Sequence, residues 1–212
     1  MMLVIGLTGS IGMGKTTAAQ RFAANSIPVF DADAEVHRLY EGAAAPLIEQ
    51  AFPGTTRSGK VDREALAGVL MENNKAMPRL EAIVHPLVRA ARQDFLTRHA
   101  RDGAEMVVLE IPLLFETGAE KHIDVSVVVT APAEVQRNRA LKRPGMSADK
   151  LDALLANQMA DKEKRERADF VVDTNRSLEE TAAEIDRIIE SLRGREGTAF
   201  QLTAGNGAET TR

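Results

Sequence analysis

Two short stretches carry groups suited to phosphate chemistry. Residues 9–16 read GSIGMGKT and satisfy the spacing G-x-x-x-x-G-K-[ST]. Glycines at 9, 12 and 14 permit positive φ and close backbone approach, so successive N–H groups can converge on phosphate oxygens where a helix begins. In such a loop Lys15 bridges the outer phosphates, and Thr16 offers its hydroxyl to magnesium. The expected nucleotide cradle is therefore Ile11, Gly12, Met13, Gly14, Lys15, Thr16 and Thr17. A glycine-rich turn without a ligand is the alternative; the apolar run before the loop and the helical stretch TTAAQRFAAN after it argue against that. A GTP-dependent switch would also need D-x-x-G and N-K-x-D, and neither occurs, so ATP is the favoured nucleotide.

The second stretch is VFDADAEVH, residues 29–37, where Asp31 and Asp33 stand between an apolar run and a helical pattern. A carboxylate there can take the proton of a hydroxyl that attacks a γ-phosphate. It can equally cap the helix, with Asp33 as the cap and Asp31 in solvent or an ion pair. Spacing alone leaves both readings open.

Positioning these groups requires a scaffold, and the apolar runs provide one. LVIGLT (3–8), IPVFD (27–31), MVVLEI (106–111), DVSVVVT (124–130) and DFVVD (169–173) alternate with helical stretches, the pattern of a five-stranded parallel sheet covered by helices on both faces. Ligands bind such a sheet where its strands end. The last helix is marked by a Ser177–Glu180 capping box, by Leu178, Ala182, Ile185, Ile189 and Leu192 on one face, and by Gly194 at its end. The chain between the second and third strands is too long for a single crossover helix, so it holds a helical insertion. There Asp62 caps a helix to about Asn73, and a longer one runs from about Lys75 toward Asp102, with Pro86 breaking or kinking it. A further helical excursion over about 143–166 starts from Ser147, and a small, polar, aperiodic tail follows Gly194.

At 212 residues, 44% hydrophobic and 27% charged, the chain has the make-up of one ordinary globular domain with insertions. It has no cysteine, which excludes disulfides, thiolate metal sites and cysteine nucleophiles and accords with a cytoplasmic setting. The start MMLVIGLTGSIG reads as a strand rather than a signal peptide, and no run is long enough to span a membrane. A formal charge of −4 argues against general nucleic-acid binding. Nine Lys/Arg against five Asp/Glu over 137–167 nonetheless make that segment locally basic, a candidate face for an anion.

In order along the chain, LTGSIGMGKTT, VFDADAEVHRLY, GKVDREAL, LEAIVHPLV, IPLLFETG and the Q-x-x-R-x-x-x-R of 136–143 resemble the dephospho-coenzyme A kinase family over about residues 2–175. The resemblance implies a P-loop kinase of three-layer α/β sandwich type. Its core would be residues 1–59, 101–136 and 167–194, with an acceptor-binding insertion at 60–100, a lid at 137–166 and a flexible tail at 195–212. It implies ATP and magnesium as co-substrate and metal, and transfer of the γ-phosphoryl group to the ribose 3′-hydroxyl of dephospho-coenzyme A, the last step of coenzyme A synthesis, by a monomer or weak homo-oligomer acting without nucleic acid or membrane.

Carried over by position, the family's catalytic aspartate falls on Asp33, with Asp31 supporting the turn or the metal's water shell. Lys15 and Arg139 join it as catalytic groups, Arg143 and Asn175 join the nucleotide site, and Thr8, His85, Leu113, Leu114 and Glu116 face the acceptor. His85 either packs to fix the kink at Pro86 or touches the acceptor; Leu113, Leu114 and Phe115 either wall the acceptor site or pack beneath the insertion. Arg137 reads as surface. The remaining alternatives are a kinase of this scaffold for another small acceptor, and a nucleotide-binding regulator.

Overall fold

The computed structural model describes residues 1–73 and 75–200. Its strands are β1 (Leu3–Thr8), β2 (Val29–Asp31), β3 (Thr56–Arg57), β4 (Lys60–Val61), β5 (Met106–Glu110), β6 (Val125–Thr130) and β7 (Phe170–Asp173). Its α-helices are α1 (Lys15–Ala24), α2 (Ala32–Tyr40), α3 (Ala45–Ala51), α4 (Arg63–Glu72), α5 (Ala76–Arg101), α6 (Ala133–Leu141), α7 (Ala148–Ala156), α8 (Asp161–Arg167) and α9 (Leu178–Leu192). Two compact units result: Met1–Phe30 with the chain from His99 onward, and Asp31–Arg98.

The first unit is built on the expected five-stranded sheet, in the order β2-β5-β1-β6-β7, with β1 parallel to both β5 and β6, and β6 parallel to β7. Alternation along each strand divides its side chains between two cores. Leu3, Ile5, Leu7, Val108, Val125, Val127 and Val129 meet Phe22 of α1 and Ile185, Ile189 and Leu192 of α9. Val128 points the other way, onto Leu114 and Phe115. Each large aliphatic side chain so buried contributes about 1.5–3 kcal/mol, which makes the centre of this sheet a rigid base for whatever leaves its ends.

Helix α9 has the expected capping box, with Ser177 Oγ accepting from Glu180 N–H at 3.1 Å and Glu180 Oε2 accepting from Ser177 N–H at 3.0 Å. Its buried face differs from the expected one in the first turn and takes in one further residue near the end, while Ile185, Ile189 and Leu192 are buried as expected. Leu178 is 74% exposed, while Thr181 and Ile188 are buried. Leu178 opens the first turn, and there Thr181 makes the inward contact, its hydroxyl 3.5 Å from the Asp173 carbonyl.

The stretch expected to be a flexible tail from 195 is, as far as Phe200, fastened to the first unit; residues 201–212 lie outside the described residues. Asp124 joins it to the sheet, its Oδ2 accepting from Val4 N–H at 2.8 Å and its Oδ1 from Thr198 and Ala199 N–H at 2.6 and 2.8 Å. Gly197 lies so close that a Cβ would strike the Met2 carbonyl.

Residues 31–98 form a helical unit around Leu39, Ile48, Phe52, Leu66, Leu80 and Val84. It starts earlier than the insertion expected at 60–100, because α2 and α3 belong to its core. It also holds a β3–β4 hairpin, turned by Ser58 and Gly59 at φ 50° and 76°, the double positive φ of a tight two-residue turn. Asp62 caps α4 as expected. Of the break or kink expected at Pro86, the break does not occur: α5 is one helix from Ala76 to Arg101. Both His85 and Pro86 are exposed, so water can take the carbonyl that proline leaves without a donor.

Asp124→Ala removes the acceptor of three backbone amides, and hydrogen bonds to a charged acceptor contribute about 1.5–3 kcal/mol each. Because the Thr198 and Ala199 amides can turn to water when the segment detaches, we expect urea unfolding to show a loss of about 2 kcal/mol, close to one such bond rather than three, together with faster proteolysis near residue 195; unchanged stability would mean that the segment is not anchored through Asp124.

Candidate nucleotide site and acidic turn

Strand β1 ends at Thr8, and the chain turns through the glycine-rich loop into α1. Gly14 stands at the N-cap with φ 89° and contributes no side chain to the cap. The first amides of α1 therefore point out with the positive end of the helix dipole, an arrangement that favours an anion. The loop is held tightly. A Cβ on Gly12, where φ is 81°, would lie 2.6 Å from the Gln136 carbonyl, and one on Gly14 would lie 3.1 Å from Thr174.

Thr174, just beyond β7, is the junction of this site. Its hydroxyl donates toward the carbonyls of Met13 (2.9 Å) and Thr130 (3.1 Å) and accepts from Arg139 Nη1 at 3.0 Å, while Arg139 Nη2 donates to the Thr174 carbonyl at 2.8 Å. The structure thus brings Arg139 of α6 together with the phosphate loop. Gln136, one turn earlier, donates to the Ile11 carbonyl at 2.9 Å, and Gln158 accepts from the Ile11 N–H at 3.4 Å. Thr174, Gln136 and Gln158 are not among the expected site residues; the signals for them in the sequence are the place of Thr174 at the end of a strand and of Gln136 at the head of Q-x-x-R-x-x-x-R, with none for Gln158.

The other expected nucleotide residues are placed as follows. Lys15 Nζ donates to the Gly9 carbonyl at 2.9 Å, folding over the loop. Thr16 and Thr17 are exposed on the first turn of α1. Met13 is buried, its sulfur accepting from Ala131 N–H at 3.1 Å, so only its backbone faces the loop. Arg143 is exposed, and Asn175 N–H is bound to Asp173 Oδ1 at 2.8 Å. Among the described residues no group of three His, Cys, Asp or Glu side chains could hold a metal ion.

Several residues expected at the acceptor are occupied elsewhere. Thr8 is fully buried and donates to the Pro112 carbonyl at 3.2 Å. Leu114 and Phe115 lie in the core, so packing, not an acceptor wall, explains them; Leu113 alone of the three is exposed. Glu116 does not reach out for an acceptor. Its Oε1 lies 2.8 Å from the ammonium of Lys164, which is completely buried, and accepts from Met159 N–H at 2.8 Å. Burial would push the Glu116 carboxyl up, but the Lys164 ammonium and the Met159 amide hold it below its ordinary value.

The segment expected to be a lid is thereby fastened along its second half. Besides Glu116–Lys164, the Thr130 hydroxyl donates to Asp161 at 2.8 Å. Its positive charge is also largely matched: Arg137 pairs with Asp152, Lys162 with Glu166, Arg165 with Asp161 and Arg167 with Glu120. Arg139, Lys142, Arg143 and Lys150 are the cations for which no carboxylate partner is found among the described residues.

In the other unit, the acidic turn has a definite division of labour. Asp31 is the N-cap of α2, its Oδ1 accepting from Asp33 and Ala34 N–H at 2.9 and 3.0 Å. The reading that made Asp33 the cap is therefore corrected, and the support of the turn expected of Asp31 is what it provides. Asp33 is exposed in the first turn, and its carboxylate has no partner among the described residues. His85 is likewise exposed on α5, not packed on its apolar face.

Comparison with known proteins decides what this combination belongs to. Residues 3–180 match the sequence pattern of the dephospho-CoA kinase family. The chain belongs to that family. A dephospho-CoA kinase of Mesorhizobium japonicum is 56% identical over 197 residues, covering 93% of this chain and 100% of that protein. Among solved structures, one from Thermus thermophilus is similar with a TM-score of 0.77 and 36% identity, covering 91% of this chain and 99% of its own. The dephospho-CoA kinase of Campylobacter jejuni is similar with a TM-score of 0.69 and 26% identity, over 91% and 98% of the two chains. The fold is accordingly that of the P-loop kinases, and the chain is a kinase of this family.

Because the Glu116 carboxyl is held below its ordinary value of 4.5, its contribution to stability is fully present above that pH and is lost as pH falls toward the lower folded value. We expect the fall of Tm on acidification below about pH 4.5 to be shallower in Glu116→Gln than in the parent, from a lower starting point at pH 7. Parallel curves would show that this carboxyl does not titrate with folding.

Proposed function

We propose that this chain transfers the γ-phosphoryl group of ATP to the ribose 3′-hydroxyl of dephospho-coenzyme A, the last step of coenzyme A synthesis, with Asp33 accepting the hydroxyl proton. Family membership supports the reaction. The observation that carries the role of Asp33 is that Asp31 caps α2 by itself, which leaves the second carboxylate exposed for chemistry. Asp33 takes the proton as the hydroxyl oxygen forms its bond to the γ-phosphorus; the bond from that phosphorus to the β–γ bridging oxygen breaks, and ADP leaves.

The amides at the start of α1 and the Lys15 ammonium receive the phosphates of ATP. Arg139, steadied by Thr174, counters charge on the transferring group. Magnesium fits this site through Thr16, which is exposed in the first turn of α1; an ion held mainly by phosphate oxygens and water needs few protein ligands. Bound there, it would neutralise phosphate charge. His85 and Leu113 are exposed and available to the acceptor, and Arg143 and Asn175 to the nucleotide. Closure of the lid involves the part before Gln158, since the part after it is fastened by Asp161 and Lys164. The enzyme works in the cytoplasm as a monomer or weak homo-oligomer.

Asp33→Asn is expected to lower kcat by about 10²–10⁴ while ATP binding stays within about twofold, measured by steady-state kinetics and calorimetry; near-normal turnover would remove Asp33 from the mechanism. Arg139→Ala should reduce kcat by more than it weakens ATP binding, and a loss confined to ATP affinity would make this arginine a binding group only.

A further inference from the structure

Arg63 opens α4 in the stretch DREAL and is exposed. Within residues 31–98 its Nη1 lies 2.7 Å from Nε2 of His37. A guanidinium only donates, so Nε2 accepts; the proton of a neutral His37 is then on Nδ1, which donates to the Asp33 carbonyl at 2.7 Å. Asp33 and His37 are four residues apart on α2 and share one face of it. The surrounding cations are matched: Arg38 with Glu35, Arg57 with Asp62 and Lys60 with Glu41. Among the described residues Arg63 pairs with no carboxylate. Besides His37 its charge is felt by Tyr40, whose phenol burial pushes up and Arg63 pulls back. An unmatched guanidinium, held by a neutral imidazole on the helix face that presents Asp33, is suited to an anion.

The acceptor supplies one. Dephospho-coenzyme A carries a diphosphate on the 5′ carbon of the same ribose whose 3′-hydroxyl is phosphorylated, so a group that meets the hydroxyl needs a cation about one sugar away. We propose that Arg63 binds the diphosphate of the acceptor, with His37 as the positioning residue that aims it. This rests on the reading of Asp33 as the group that meets the hydroxyl. A planar fork of donors suits two phosphate oxygens better than an ammonium does.

The test is steady-state kinetics of Arg63→Ala and Arg63→Lys with dephospho-coenzyme A and ATP, at several salt concentrations. Arg63→Ala is expected to raise the KM for dephospho-coenzyme A about 10–100-fold, to leave the KM for ATP and Tm unchanged, and to flatten the salt dependence of the acceptor KM. Arg63→Lys keeps the charge without the fork and should fall between the two. An acceptor KM within about twofold of the parent, or acceptor and ATP KM values rising together with a loss of Tm, would overturn the proposal. Failure of the Asp33 reading is seen separately: Asp33→Asn acts on kcat, whereas Arg63→Ala acts on acceptor KM.

Discussion

A helix that begins without a side-chain cap, at the end of a fully buried strand, is the constraint on which this protein depends. The amides at the start of α1 cannot be satisfied by Gly14, which has no side chain, and neither Gly12 nor Gly14 has space or backbone geometry for another residue. The sheet beneath is packed on both faces, so the loop cannot sink to find other partners. What remains is a cradle of outward N–H groups, an arrangement suited to a phosphate chain. Thr174 makes the cradle stiff by holding the Met13 carbonyl, and ties its shape to Arg139 through the same hydroxyl.

The charges in the molecule divide into those that build and those that act. Glu116 and Lys164 are desolvated together, an arrangement that holds only because each is the other's partner and the Met159 amide adds a third contact. They join the turn after β5 to α8, and neither is available for chemistry. Asp124 and Asp31 also build, each spending its carboxylate on backbone amides. Among the described residues Asp33, Arg63 and Arg143 have no such commitment to an opposite charge.

Local features were legible in the sequence because their causes are local. The glycine spacing, the five strands and the caps at Asp62, Ser147 and Ser177 depend on neighbours within a few residues, and each occurs as expected, although β2 and β7 are only partly buried. The surroundings of Thr8 and Glu116 were not legible because their partners are remote: Thr8 bonds to Pro112, and Glu116 to Lys164. Exposure at a strand end looks the same in sequence whether a side chain turns to the ligand or back into the core. Asp31 and Asp33 were distinguishable only once the helix start was known to the residue, since a shift of one or two positions exchanges a cap for a free carboxylate.

The central claim is that Asp33 meets the acceptor hydroxyl in line with the terminal phosphate of ATP. A crystal structure of the chain with dephospho-coenzyme A and a non-hydrolysable ATP analogue tests it most directly. The account predicts an Asp33 carboxylate oxygen about 2.6–3.2 Å from the ribose 3′-oxygen, with that oxygen facing the γ-phosphorus opposite the β–γ bridge. An acceptor bound with its 3′-oxygen against another base, and Asp33 turned to solvent, would contradict it.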